Sequence, residues 1–487
     1  MKRIITNTKY VVVLLLLVYL MPSCTDWLSL VPENDLIKEK FWKKKDDADG
    51  ALAAAYDAFR DASLESFIWG ELRGDMIVIG GTNFAEYASI QKTDISTSNS
   101  KITWGSYYKA INLANTFMYF ADQVVEADES FTPRMKQAYD SECLFIRALS
   151  YFYLVRLWKE VPLVTEASVS DQGDLYRPKS SEQEVINQII EDLLKAKDLA
   201  YTDEFIDRPE YYKGRANKYS IMALLADVYL WNEQYSNAVS YCDSIINTGK
   251  FSLLNTNDWF QLYYPGNSMS ESIFEIQFDD ALEGQENPLY NRLLPIEVTS
   301  SYLKMNSITM DLIFQKTDIR LIGSKRPLWK YRGVDVNSRV TREFNQRDAN
   351  FIYYRYADIL LIKAEALTEL NRLAEANDLV RLTAERASTS YTNIFEKEAL
   401  RDFILEEKAR EFALEGKRWF DVLRYGKRDG FKNKQFIINM ILATADDVKQ
   451  VAVLRTKVVD TMSYYLPIPK DDLLSNKNLE QNPFYDR

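Results

Sequence analysis

The chain contains no histidine in 487 residues. That absence removes the Ser-His-Asp triad, Cys-His dyads, imidazole general bases and His-ligated zinc. Hydrolysis would have to run on carboxylates, lysine or tyrosine, and the 71 acidic residues leave a carboxylate pair about 5–9.5 Å apart as the route composition permits. Cations are in deficit: 60 Lys and Arg leave a net charge of −11. No stretch forms the basic stripe that nucleic acid requires, so nucleic acid is not an expected partner. Cysteines number three. Cys143 and Cys242 sit in apolar helical surroundings and read as small core residues; a disulfide would need their Cα atoms within roughly 7 Å. Past the amino terminus no run of 18 apolar residues occurs, so no later segment reads as a membrane-spanning helix. No cofactor and no metal site is expected.

The amino terminus reads as an address. Lys2, Arg3 and Lys9 precede an apolar run from Tyr10 to Met21. The run is shorter than the roughly 20 residues of a spanning helix and suits a signal-peptide core. It stops at Pro22-Ser23-Cys24, where a small residue directly before Cys marks a lipoprotein processing site. Residues 1–23 are therefore expected to be a signal peptide, and Cys24 the lipidated first residue of a single mature domain, 24–487. Two or three acyl chains on one cysteine satisfy the requirement for stable anchoring. Met21 and Pro22 depart from the commoner residues of such a site. Without the leader the chain carries 57 basic and 71 acidic residues, a charge of −14, which repels anionic surfaces.

The dominant local signal is the helical period. Ala51 to Phe59 forms a short Ala-rich helix. Thr132-Pro133 is an N-cap followed by proline at the first helical position, opening an apolar stripe through Leu144, Ala148, Tyr151 and Val155. Ser181 to Glu184 is a capping box before another stripe. Two segments resemble each other: Tyr219–Leu230 with Tyr235–Ile246, and Tyr356–Leu370 with Leu373–Val380. Each predicts a helix pair, with small residues (Ala223, Ala226, Ala238; Ala364, Ala366, Ala376) where helices must approach closely. That is tetratricopeptide logic, in which several units stack because none buries its face alone. Two stretches lose the period, at about 69–103 and 250–350. In the second, Ser272–Phe278 alternates as a strand would. Long irregular insertions on a helical frame are the usual seat of a binding site.

Several motifs then resemble the SusD/RagB family, in family order. They are the mature start Cys24-Thr25-Asp26-Trp27-Leu28; Trp104-Gly105-Ser106-Tyr107-Tyr108 with Ile111 and Asn115; and Arg147-Ala148, Tyr151-Phe152 and Leu154 with Trp158 and Val161-Pro162-Leu163. Further on come Tyr356-Ala357-Asp358 with Ala364-Glu365-Ala366, and Glu407, Arg410-Glu411 and Glu415-Gly416 with Arg418-Trp419-Phe420-Asp421. The last is Tyr465-Leu466-Pro467-Ile468-Pro469 with Gln481-Asn482-Pro483. Lys417 and Phe484 depart from the family pattern. The resemblance implies a mainly α fold, a SusD-like α-α superhelix with embedded tetratricopeptide-like helix pairs and a little β in the insertions. It also implies a non-catalytic lipoprotein anchored in the outer membrane and facing the exterior. Such a protein works with a SusC-like TonB-dependent transporter and captures an oligosaccharide, or in some members a peptide. A peptide-capturing RagB-like protein is the alternative on the same scaffold; a surface glycoside hydrolase is the remote one, and a periplasmic helical-repeat scaffold leaves the aromatic insertions unexplained.

The aromatic fraction is 13%, with 31 Tyr and 9 Trp. Flat rings stack on the C–H faces of sugars, so ligand contact is expected from the two insertions. Trp69, Arg73, Asp75, Asn83, Phe84 and Tyr87 form one candidate set; Trp259, Tyr263, Tyr264, Trp329 and Tyr331 form the other. The charged motif residues Glu407, Arg410, Glu411, Glu415, Arg418 and Asp421, with Asp358 and Glu365, are expected to be a structural ion-pair network. The arginines at 320, 326, 332, 339, 342 and 347 are expected to pair with nearby acids, with recognition of an anionic glycan as the second reading.

Overall fold

The Ala-rich stretch lies inside a longer helix, α1 (Lys45–Asp61), in the computed structural model of the chain. Asp46 and Asp47 in its first turn and Arg60 in its last complement the helix dipole. The structure describes residues 41–487 except 80–83, 169–175, 205, 264–269, 283, 293–302, 321–328, 334–341, 344–345, 446 and 487. Cys24 and the expected signal peptide lie outside the described residues. The chain divides into Met1–Lys43 and Lys44–Arg487, and the second unit carries the helical frame.

That frame runs through α2 (Gly105–Ala127), α3 (Pro133–Trp158), α4 (Glu182–Leu199), α5 (Lys218–Trp231) and α6 (Tyr235–Ile246), then α7 (Tyr356–Glu369), α8 (Leu373–Arg386), α9 (Lys397–Glu411) and α10 (Arg418–Phe431). The caps read from sequence are present. Thr132 accepts a hydrogen bond from the Met135 N–H ahead of α3, and Ser181 and Glu184 close a reciprocal box ahead of α4. Each helix packs on the next from α1 to α10. The short breaks within the α5–α6 and α7–α8 pairs turn on left-handed residues, Glu233 (φ 56°) and Asn371 (φ 63°). Ala223, Ala226, Ala238, Ala364, Ala366 and Ala376 are fully buried, as close helix approach demands. The fold is thus mainly α, a superhelix with embedded helix pairs.

Strands among the described residues form three antiparallel pairs: β1 (Ile77–Ile79) with β5 (Leu303–Met305), β2 (Val161–Pro162) with β3 (Lys179–Ser180), and β4 (Ser272–Ile276) with β6 (Phe351–Arg355). All five residues of β4 are buried, so its alternation in sequence does not reflect one wet face. The first irregular stretch also starts later than its sequence suggests. Trp69 to Glu71 still belong to a short helix, Ser63–Glu71, and another, Ala85–Gln91, forms within the stretch itself. The early helix is held by a backbone contact that only glycine permits. A Cβ on Gly70 would lie 1.7 Å from the carbonyl oxygen of Gly416, itself at φ 72°.

Distant motifs meet in the core. The Trp158 indole donates to the Pro467 carbonyl at 2.9 Å, and the Leu466 N–H donates to Leu157 O at 2.8 Å. Arg147 grips Asp192 through two hydrogen bonds of 2.8 and 2.6 Å. Cys143 and Cys242 are both buried and free.

Candidate ligand-binding site

The two insertions meet at the β1–β5 ladder. Ile77 faces Met305, Val78 faces Lys304 and Ile79 faces Leu303. The first stretch therefore leaves the ladder where the second enters it. Asn306 locks the junction: its N–H donates to Met76 O at 2.9 Å, its side-chain amide to Asp75 O at 3.0 Å, and its carbonyl caps the helix Ser307–Ile313. Helix Ala85–Gln91 is fastened alongside by Gln91, which donates to Ile77 O at 2.7 Å.

Half-buried Phe84 and Tyr87 lie at this helix with ring centroids 6.5 Å apart. The turn 99–101 is tied to the helix by the Ser100 N–H, which donates to Glu86 at 2.8 Å, and by the Asn99 amide, which donates to Glu86 O at 3.0 Å. That turn carries Lys101, whose ammonium sits 5.5 Å from the Tyr87 ring centroid. Beside the ladder, Lys304 is exposed, and Ile308 and Leu312 are 72% and 79% exposed one helical turn apart. The result is a partly exposed aromatic pair with a cation beside it, a combination suited to sugar C–H faces and hydroxyls. Lys101, Ile308 and Leu312 were not among the residues expected from sequence; no single-chain pattern distinguishes them from ordinary surface positions.

Most of the expected contact residues are placed differently. Trp69 is fully buried. Arg73 is buried too, donating to the carbonyls of Tyr464 (2.6 Å) and Ser463 (2.9 Å), with its guanidinium 4.2 Å from the Trp419 ring centroid. Burial lowers its pKa to about 10. Asp75 takes two hydrogen bonds from Arg418, at 2.7 and 2.9 Å. Burial pushes its carboxyl up, but Arg418 outweighs that and holds it below the usual value. These three residues weld the start of the insertion to the helical frame, so they are corrected from ligand contacts to scaffold. The second set needs the same correction. Trp259 packs on Phe260, Ile319 and Ala387. Tyr263 donates to Glu415 at 2.9 Å, and the Tyr331 hydroxyl donates to the Leu414 carbonyl. At 3%, 0% and 2% exposure, these rings offer no face for stacking. Asn83 and Tyr264 lie outside the described residues, as does the side chain of Trp329. Among the described residues, Phe84 and Tyr87 are the expected rings left with accessible surface.

The charged motif is an interior network. Arg355 donates to Glu271 and Glu411 at 2.6 Å each and to Glu415 at 2.9 Å. Glu411 is also held by Arg320 at 2.8 Å and by Arg386. Lys330 reaches Glu415 at 2.5 Å. Burial would raise the Glu411 carboxyl, but these three guanidiniums hold it well below the ordinary range. Of the arginine stretch, Arg320 pairs with Asp318, Glu407 and Glu411, and Arg342 pairs with Asp348; Arg326 and Arg339 lie outside the described residues. These bonds fix the turn after α9 and the segment around Lys330 to the β4–β6 pair. Among the described residues no group of three or more His, Cys, Asp or Glu is placed to hold a metal ion.

Comparison with known proteins agrees with this architecture. Residues 316–485 match the model described as the SusD family, and residues 26–230 match one described as starch-binding associating with outer membrane. A SusD-like protein of Formosa agariphila is 28% identical over 468 residues, covering 83% of this chain and 88% of the relative. Surface glycan-binding protein A from Bacteroides uniformis superposes with a TM-score of 0.72 at 22% identity, covering 90% of this chain and 99% of that one. A laminarin-binding SusD-like protein superposes with a TM-score of 0.68 at 21% identity, covering 91% and 100%. With both family models matched in order along one helical superhelix, the chain belongs to the SusD/RagB family.

Proposed function

We propose that this protein is a non-catalytic outer-membrane lipoprotein that captures an oligosaccharide and delivers it to a SusC-like TonB-dependent transporter. Cys24 is the lipid anchor, and the ligand face looks outward from the cell. The observation that carries the reading is the β1–β5 pairing, which joins the two insertions beside the helix that bears Tyr87, where the Lys101 ammonium stands over that ring. Support also comes from the starch-binding description of the model matching residues 26–230 and from the glycan-binding names of two structural neighbours.

The test is calorimetric titration of the chain from Thr25 onward with neutral, uronic and sulfated oligosaccharides, and with a peptide pool in parallel. Heat from one glycan class, with no reducing ends released, is the expected result. Heat from the peptides alone replaces this reading with peptide capture on the same scaffold.

A further inference from the structure

A cleft of about 920 Å³ lies away from the ladder, between α1, the first turn of α3, the short helix Pro209–Gly214 and the end of β4. Its volume falls within the about 300–1,000 Å³ of small-molecule sites, and none of its lining residues belongs to the β1–β5 junction. We propose that this cleft is a second carbohydrate subsite, binding a neutral segment of an oligosaccharide.

Three features support that assignment. One wall is stripped of bulk: Gly50, Ala53 and Ala54 follow each other at the spacing of a single face of α1. Glycine inside a helix is destabilising relative to alanine, and a Cβ on Gly50 would meet nothing within 4 Å. Packing therefore does not require the glycine, whereas an open cleft wall gains from it. The opposite wall carries Tyr211, 40% exposed, with the exposed Arg208 guanidinium 5.8 Å from its ring centroid. An exposed ring in a cleft that also has a small-residue wall offers a stacking surface for a pyranose.

The third feature is charge. Lys45 pairs with Asp49 at 2.5 Å, Arg60 with Asp57 at 2.5 Å, and Arg215 with the buried Glu142 at 2.6 Å. Three of the four cations lining the cleft are thus answered by acids, while the fourth, Arg208, stands over the Tyr211 ring; a sulfated or uronic ligand would have to displace those partners. Sugar hydroxyls instead add hydrogen bonds at the edges of existing pairs, including the Gln277 amide at the end of β4.

The inference rests on the glycan-binding function proposed for the chain, but its test separates the two sites. Maltoheptaose and laminariheptaose are titrated into the chain from Thr25 onward, its Tyr87→Ala variant, and Ala54→Trp and Tyr211→Ala variants. Ala54 is exposed on α1, so a tryptophan there fills the cleft without entering the core. Thermal melts check that each variant is folded. With at least one of the sugars, Tyr87→Ala is expected to retain a binding event that Ala54→Trp abolishes and Tyr211→Ala weakens about five- to tenfold. Unchanged isotherms in both cleft variants, or no heat from either sugar with the unaltered chain, overturn the second subsite. Failure of the ladder reading looks different, since Tyr87→Ala would then leave binding unaltered while the cleft variants still lose it.

Discussion

Arg355 and Glu411 meet at 2.6 Å with neither side chain exposed to solvent. Around this contact Arg320, Lys330, Arg386 and Lys417 face Asp318, Asp358, Glu271, Glu407 and Glu415. Charges at such depth are tolerated because each has an opposite partner and hydrogen bonds to satisfy it. The network also ties together parts far apart in sequence: β4, β6, α8, α9 and the segments around Asp318 and Lys330.

Removing the centre of that network leaves its carboxylates buried without compensation. Arg355→Met retains bulk but strips the bonds to Glu271, Glu411 and Glu415. We expect a loss of about 3–5 kcal/mol in urea-unfolding free energy, with folded protein below the transition still binding ligand. A change under about 1 kcal/mol would instead place Arg355 among exposed surface pairs.

Glu71 predicts a pH dependence of stability. Its Oε1 accepts the Gly416 N–H at 3.0 Å, while its buried Oε2 has no hydrogen-bond partner among the described residues. Burial raises the carboxyl to about 8, against the lowering effect of that N–H. Between the unfolded value of 4.5 and about 8 the folded state holds the proton that the unfolded state has released. Its contribution to stability is therefore full at low pH and is lost as pH rises through that window, at up to about 1.4 kcal/mol per pH unit. Lys330, lowered to about 8 by burial, acts above this window with the opposite sign. Glu71→Gln keeps an acceptor for Gly416, and denaturation measured from about pH 5 to pH 8 should show a flatter profile than the unaltered chain. Parallel profiles would mean that Glu71 titrates normally.

The helical frame was legible because its signals are local. The Thr132 and Ser181 caps, the alanines of the paired helices and the breaks at Glu233 and Asn371 act within a turn or two of chain. The site was less legible because an aromatic residue in an irregular stretch reads the same whether it stacks on a ligand or fills a core. Tyr263 and Tyr331 became interior because a buried turn 152 and 83 residues away supplies the partners of their hydroxyls, and Trp259 because it packs on Phe260, Ile319 and Ala387. Lys101 gained its place through the bonds that tie Ser100 and Asn99 to Glu86, and the cleft lined by Gly50 and Tyr211 brings together residues 161 positions apart. Such pairings carry no period for a sequence to display.

The proposed lipid anchor rests on a single thiol, that of Cys24. If Cys24 is acylated, Cys24→Ala should abolish incorporation of labelled palmitate and move the protein from the membrane to the soluble fraction after cell lysis. Two acyl chains hold a protein far more firmly than one, so the shift should be nearly complete. Undiminished labelling of the variant would reject lipidation at this cysteine.

Trp259 and Tyr87 separate scaffold from site. Trp259 is 3% exposed and packs against Phe260, Ile319 and Ala387, with Lys330 5.7 Å from its ring centroid. Trp259→Ala opens a cavity beneath the network and should cost about 3–5 kcal/mol of stability. Its effect on glycan affinity should track the fraction of folded protein and vanish at temperatures where the variant is fully folded. Tyr87 is half-buried, beneath the Lys101 ammonium. Tyr87→Ala should cost less stability than Trp259→Ala, because its ring is only partly buried, and weaken the ladder-face binding event about tenfold, the loss of one stacked ring. Titration and melting of the two variants side by side read both quantities. The reverse pattern, with affinity lost in fully folded Trp259→Ala and kept in Tyr87→Ala, would move the ligand face from β1–β5 to the segment around Trp259.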